Sequence, residues 1–263
     1  MSTPEEILEQ YWGYTSFRPR QRDIIDCVLA GRDTLGLLPT GGGKSITFQV
    51  PAMMLPGLTI VVTPLISLMK DQVDNLHAIG IRAVALHSGL TRSEHRLGLD
   101  RCRLGKAKIL YLSPEKLQSS SFMDTITGLN VSLIVVDEAH SISQWGYDFR
   151  PSYLKIAQLR HLYPDAPVLA LTASATPDVT ADIMERLEFK APNVLARSFA
   201  RNNLSYVARY ADHKDGMLLQ VLKATSGSAI VYVRSRKRTR EIAQFLVHEG
   251  ISADFYHAGL AVE

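Results

Sequence analysis

Five short aliphatic runs constrain the fold more than any other feature of the sequence: Thr34–Leu38, Leu58–Thr63, Lys108–Leu112, Leu133–Asp137 and Val168–Thr172. A strand with one wet face alternates polar with apolar residues. These runs do not alternate, as expected for parallel strands covered on both faces. Helical patterns lie between them. From Pro64 the apolar positions Leu65, Leu68, Met69, Val73, Leu76 and Ile79 share one helical face, and Gly80 follows the end. Thr176-Pro177-Asp178 supplies an N-cap, a proline at the first helical position and an acid in the first turn. Strand–helix alternation predicts an α/β fold with a mostly parallel sheet and helices on both faces, whose ligands bind at the carboxyl ends of the strands.

This unit is expected to end near Phe189–Asn193, and a polar stretch from Arg197 to Asn203 reads as linker. A second strand–helix–strand follows, with strands predicted at Ala229–Val233 and Ala253–His257 and a helix from a Ser235 cap to about His248. The expected division is a first domain over 1–196, a linker over 197–208 and a partial second domain over 209–263. That last stretch is short for an α/β domain.

Composition narrows the class. At 46% hydrophobic and 21% charged, the 263 residues exclude a disordered chain. A net charge of +3 permits a polyanionic partner without requiring one. Cys27 and Cys102 are too few for a disulfide scaffold or a zinc ribbon, and they fit a reducing compartment. No apolar run is long enough to span a membrane, and the acidic start lacks a signal-peptide layout. The expectation is a cytosolic protein with no membrane partner.

The chemistry begins at Pro39-Thr40-Gly41-Gly42-Gly43-Lys44-Ser45, placed between a buried strand and a helix. Glycines let backbone N–H groups wrap a phosphate, and the helix N-terminus adds partial positive charge. Lys44 can reach the β- and γ-phosphates of a nucleotide, and the Ser45 hydroxyl can ligand Mg²⁺. Leu38 stands where the usual pattern has its first glycine. Leu133-Ile-Val-Val-Asp-Glu-Ala-His140 is a buried strand ending in two acids. With a phosphate loop upstream, Asp137 is the candidate Mg²⁺ holder and Glu138 the candidate general base. Together they point to nucleoside triphosphate hydrolysis.

Asp137-Glu-Ala-His140 with the loop resembles the superfamily 2 helicases, and Thr172-Ala-Ser-Ala-Thr176 is similar to their third motif. Three further segments resemble the RecQ DNA helicases: Gly13-Tyr14 with Phe17-Arg-Pro-Arg-Gln21, Thr63-Pro-Leu-Ile-Ser-Leu-Met-Lys-Asp-Gln-Val73, and the aromatic Ser141-Ile-Ser-Gln-Trp-Gly-Tyr-Asp-Phe-Arg-Pro151. Tyr256-His-Ala-Gly-Leu260 matches a later RecQ segment. The resemblance covers nearly the whole chain, with the motifs in family order.

It implies two RecA-like domains, the second cut short. It implies that Tyr14 stacks on adenine while Arg18 and Gln21 hydrogen-bond around the base. Trp145, Phe149 and Arg150 would contact or sense single-stranded DNA; Tyr147 stands where many relatives have histidine. His140 would link the nucleotide site to Thr172, Ser174 and Thr176. It further implies ATP and Mg²⁺ as cofactors, single-stranded and partially duplex DNA as partners, 3′–5′ translocation and unwinding in repair and recombination, in a bacterial-type cytosol near the nucleoid. The family's last helicase motifs, one supplying an arginine finger, and its zinc-binding region are not in these residues. The chain is therefore expected to be the N-terminal part of a helicase core, without zinc, weak in hydrolysis and inactive in unwinding alone.

Thr63, Ser67, Lys70, His87 and Ser88 read equally as phosphate contacts or as ordinary caps and turns. The basic run Arg234–Arg240 reads as a solvated helix start or a DNA contact. Rival readings are an RNA helicase of the same superfamily, a nucleotide-gated binding module, and a phosphate-loop protein unconnected with nucleic acid.

Overall fold

The computed structural model describes residues 2–146, 148–198 and 203–260. The chain divides into two compact units, up to residue 200 and from residue 201 onward. The first unit holds, in order, α1 (Pro4–Trp12), α2 (Gln21–Leu29), β1 (Thr34–Leu37), α3 (Ile46–Met54), β2 (Leu58–Val62), α4 (Ile66–Ala78), β3 (Ala83–Leu86), α5 (Arg92–Arg103), β4 (Ile109–Leu112), α6 (Ser120–Ile126), β5 (Val131–Val136), α7 (Ala157–Leu162), β6 (Val168–Thr172), α8 (Pro177–Arg186) and β7 (Val194–Ala196). The second unit holds α9 (Lys214–Ala224) and α10 (Arg236–His248).

The seven strands form one sheet in the order β3-β4-β2-β5-β6-β1-β7, and every neighbouring pair is parallel. The aliphatic runs lack alternation because both faces are covered. Ile134 and Val136 of β5 join one core with Ile60 and Val168, whereas Leu133 and Val135 join another with Val61 and Leu169. A smaller cluster of Ile7, Leu8, Ile25 and Val50 seats α1 on α2 and α3.

Strands β3 and β7 were not anticipated; both are short, and both are sheet edges. The sheet runs on past the expected end near Phe189–Asn193, because β7 pairs with β1 from Leu35↔Val194 to Leu37↔Ala196. Helix α4 starts at Ile66 rather than Pro64, and Thr176 caps α8 by accepting from the Val179 N–H.

In the second unit, Ser235 caps α10 by accepting from the Arg238 N–H. The predicted strands at 229–233 and 253–257 are not strands: among the described residues of this unit no ladder forms. A strand exists only where neighbours take its N–H and C=O groups, and here the two segments line a cavity of about 720 Å³. Ile230 and Tyr232 are correspondingly exposed.

At the amino edge of the first unit's sheet, Asp33 and Arg160 form a buried bidentate ion pair. The Asp33 carboxylate also accepts from the Val168 and Lys190 N–H groups at 2.9 and 2.8 Å. This joins the approach to β1, α7, the start of β6 and the segment before β7 at one point.

Candidate nucleotide site

Sheet order places the chemistry. β6 lies between β5 and β1, so the residues after Thr172 fall between the loop that follows β1 and the acids that follow β5. The Leu38 N–H donates to the Thr172 carbonyl at 3.1 Å, tying the start of the loop to the end of β6.

The loop turns through Gly41 and Gly43, both with positive φ. A Cβ on Gly42 would lie 2.7 Å from the Pro39 carbonyl oxygen, and one on Gly43 would lie 2.3 Å from Gln21 Nε2. A side chain is excluded at Gly42 by contact with backbone and at Gly43 by backbone conformation. Arg18 donates to the Gly41 carbonyl at 2.6 Å, and Gln21 Nε2 donates to the Gly43 and Gly42 carbonyls at 2.9 and 3.3 Å. A peptide's C=O and following N–H point in opposite directions. Fixing the Gly42 and Gly43 carbonyls on Gln21 therefore turns the Gly43 and Lys44 N–H groups the other way, as a phosphate cradle requires. Thr40 sits exposed at the loop tip.

Gln21 is buried, and its Oε1 accepts from the Arg18 N–H at 2.8 Å. Its amide is thus engaged with the loop, a role the sequence did not reveal. Neither Thr15 nor Ser16 caps the following helix; α2 starts after Arg20, which has a left-handed backbone. Tyr14, 56% exposed, borders a cavity of about 570 Å³ that also meets Arg18, Gln21, Gly43 and Ser45.

The two acids lie at the end of β5. The Asp137 carboxylate accepts from the Thr63 hydroxyl at 3.3 Å and from the Glu138 N–H at 3.0 Å. Thr63 is buried and turned inward onto Asp137. Burial pushes the Asp137 carboxyl above the ordinary aspartate value; Lys44 pulls against this and Glu138 adds to it. A nearby cation would restore full ionisation. Ser45 makes no capping bond with its side chain at the start of α3. A hydroxyl and a carboxylate are the hard oxygen donors that Mg²⁺ prefers, so this donor set fits the ion.

Glu138 holds a left-handed backbone, φ 47° and ψ 45°, uncommon outside glycine and frequent at functional positions. Its carboxylate lies 3.5 Å from Lys44 Nζ and 3.4 Å from His140 Nδ1. His140 Nδ1 is also 2.8 Å from the Thr172 hydroxyl, which receives the Ser174 N–H at 3.2 Å. Lys44, Glu138, His140, Thr172 and Ser174 therefore form one connected polar chain. Thr176 lies outside it, as the cap of α8. The Tyr153 hydroxyl donates to the Asp137 carbonyl at 3.0 Å, fixing the strand end from behind.

The aromatic segment folds back over His140. The Gly146 N–H donates to the Ser143 carbonyl at 3.2 Å, and a Cβ on Gly146 would come 3.0 Å from the His140 carbonyl oxygen. Trp145 stands 78% exposed, which rules out a core role for it. Phe149 is half-buried, and Arg150 pairs with Asp148 at 3.2 Å. Tyr147 lies outside the described residues. In the basic run, Arg238 is held by Asp215 and Glu241, Lys237 by Glu241, and Arg240 lies over the Phe255 ring at 5.1 Å, so much of that charge serves the second unit's own structure.

The chain is 42% identical over 259 residues to the ATP-dependent DNA helicase RecQ of Pasteurella multocida, covering 98% of the chain and 41% of that protein. It is 44% identical over 265 aligned residues to the probable ATP-dependent DNA helicase RecS of Bacillus subtilis, covering 99% of the chain and 53% of that protein. It thus spans about half the length of these relatives. Among solved structures, the DUF1998 helicase MrfA superposes with a TM-score of 0.71 at 17% identity, over 96% of this chain and 42% of that one. Mycobacterium smegmatis Lhr, bound to single-stranded DNA and AMP-PNP, gives 0.65 at 18% identity, over 99% of this chain and 39% of that one. These last two likenesses establish a RecA-like α/β fold. Residues 18–183, which contain the phosphate loop, both acids and the start of α8, match the DEAD/DEAH box helicase family, and the chain belongs to that family.

Proposed function

We propose that these residues form the nucleotide-binding part of a RecQ-type DNA helicase. It hydrolyses ATP to move 3′–5′ along single-stranded DNA and opens duplexes in repair and recombination. The polar chain from Lys44 through Glu138 and His140 to Thr172 and Ser174 is the observation that carries this reading. It joins a phosphate-binding lysine to the end of β6 with a candidate base between them.

ATP would lie with its phosphates on the Gly43 and Lys44 N–H groups and its adenine against Tyr14, with Arg18 and Gln21 at the base edge while Gln21 keeps the loop in shape. Ser45 and Asp137 would hold Mg²⁺, which when bound offsets charge on the phosphate oxygens. Glu138 would take a proton from the attacking water, and on nucleotide entry Lys44 would exchange its carboxylate for phosphate. Trp145, with Phe149 and Arg150 beside it, would meet DNA bases. Relatives about twice as long support the view that these residues alone hydrolyse ATP slowly and do not unwind. The DNA reading is favoured over RNA by the identity to DNA helicases. Location in the bacterial cytosol, at the nucleoid, goes with this reading.

Trp145 supplies a direct test. Addition of dT20 should quench the exposed tryptophan, and Trp145→Ala should remove the quench and weaken binding about 5- to 150-fold, the loss of one stacked base. An unchanged affinity in this variant would contradict the role.

A further inference from the structure

A groove of about 440 Å³ lies between α5 and α6, away from the nucleotide loop. Its floor is apolar, from Leu90, Leu99 and Phe122, and its rim is cationic, from Arg92, Arg96 and Lys116. Arg92, Arg96 and Leu99 fall on one face of α5, at the three- and four-residue spacing of a helical stripe. Among the described residues, no carboxylate pairs with Arg92, Arg96 or Lys116. Of the acids next in sequence, Glu94 is committed to the helix start, where its carboxylate accepts from the Thr91 N–H at 2.8 Å and hydroxyl at 2.7 Å, and Glu115, beside Lys116, accepts from the Ser152 hydroxyl at 3.3 Å. Against the floor, the His95 ring meets Phe122 edge-on with centroids 5.5 Å apart, and its Nε2 is buried without a partner. Three cations without counter-charge around a concave surface repel one another. The arrangement makes sense where an anion enters.

The groove is continuous with the rim of strand ends. Leu90 lines both it and an adjoining cavity that contains Lys70 and His87. Burial holds both the His87 and His95 rings below the ordinary histidine value; Lys70 and Lys116 add to this at His87, where Glu94 opposes them, and Lys116 adds to it at His95. Lys70 on α4, Lys116 after β4 and Arg92 and Arg96 on α5 thus flank two adjoining cavities, the first of which is also lined by Asp74 and Glu94.

We propose that the α5–α6 groove binds phosphates of the nucleic-acid strand, extending its track beyond the strand ends, with Arg92 and Arg96 as the principal contacts. This rests on the DNA-binding reading above. Arginine's planar fork suits phosphate oxygens. Continuity with Lys70 favours a polynucleotide over an acidic peptide, which the apolar floor would also admit.

The test is the salt dependence of dT20 binding by the full chain, read by anisotropy, for the unmodified protein, R92Q/R96Q and K106Q. Lys106 is exposed in the turn before β4, at the other end of the sheet. Each lost phosphate contact lowers the log–log salt slope by about 0.7 for a single strand. R92Q/R96Q should therefore lose about 1.4 from the slope and bind about 25-fold more weakly at 0.1 M salt, whereas K106Q matches the unmodified chain. Thermal melts check that both variants fold alike. If the unmodified chain binds dT20 and R92Q/R96Q binds it with the same slope, the groove proposal is overturned and the DNA reading stands. If the double variant instead loses only a fluorescent Asp-rich peptide, the groove belongs to an acidic partner and the proposal is again overturned. If the unmodified chain does not bind dT20, both readings fall.

Discussion

Asp33→Asn should destabilise the first unit by about 3–5 kcal/mol, because it leaves the Arg160 guanidinium buried without its counter-charge. The two side chains are only 1% and 7% exposed. Val168 and Lys190 donate their N–H groups to different carboxylate oxygens, so the asparagine NH₂ would face one of these two donors. Urea unfolding followed by circular dichroism reads the loss as a lower midpoint. The double variant Asp33→Asn/Arg160→Met should recover much of it, since replacing both members of a buried pair is far less harmful than removing one. The pH dependence follows from the sign of the shift. Burial alone would raise the Asp33 carboxyl, but the bond from Arg160 and those from the Lys190 and Val168 N–H groups outweigh it and hold the carboxyl below the ordinary aspartate value. A lowered native pKa contributes stability above the unfolded value, and this is lost as pH falls through the native one. The gap between the unmodified chain and Asp33→Asn should be full at neutral pH and shrink in acid. A gap that stays constant to low pH would show that the carboxylate's ionisation is not what stabilises.

Glu138→Gln should reduce ATP turnover by about 10²–10⁴-fold, the usual contribution of a general base, while nucleotide binding persists. The amide keeps the shape but cannot accept a proton. It also releases Lys44, which now sits 3.5 Å from the carboxylate, so affinity for ATP should hold or improve. Lys44→Ala should do the reverse and remove binding itself. Single-turnover hydrolysis with equilibrium binding on the same samples separates the two. If Glu138→Gln hydrolyses as fast as the unmodified chain, the base lies elsewhere.

The parts of this architecture that were legible in the sequence are those written in consecutive residues. The phosphate loop, the Asp137-Glu-Ala-His run and the Thr176-Pro177 helix start each declare themselves within a few positions, and the structure brings the first two together because β6 lies between their strands. The central strands were legible because burial on both faces removes alternation. The Ala-Val-Ala-Leu of β3 and the Val-Leu-Ala of β7 are short, and alanine, half of the first, has little strand preference, so neither stands out. The segments at 229–233 and 253–257 show the opposite failure: Ala-Ile-Val-Tyr-Val has strand character, but pairing is non-local and local propensity cannot supply a partner. The same distance in sequence hid the Asp33–Arg160 pair, the inward turn of Thr63 onto Asp137 and the grip of Gln21 on the loop carbonyls. Nothing local marks Glu138 as left-handed.

His140 bonds Thr172 and lies beside Glu138, so under the proposed function it links the nucleotide site to the segments that would meet DNA, and binding linkage reads that coupling. The affinity for dT20 would be measured with and without a non-hydrolysable ATP analogue and Mg²⁺, in the unmodified chain and in His140→Ala. Coupled sites change each other's affinity by about 5- to 150-fold. A change within that range is expected for the unmodified chain and a ratio near one for His140→Ala, with each ligand still binding alone. An equal ratio in both proteins, or none in the unmodified chain, would contradict that coupling.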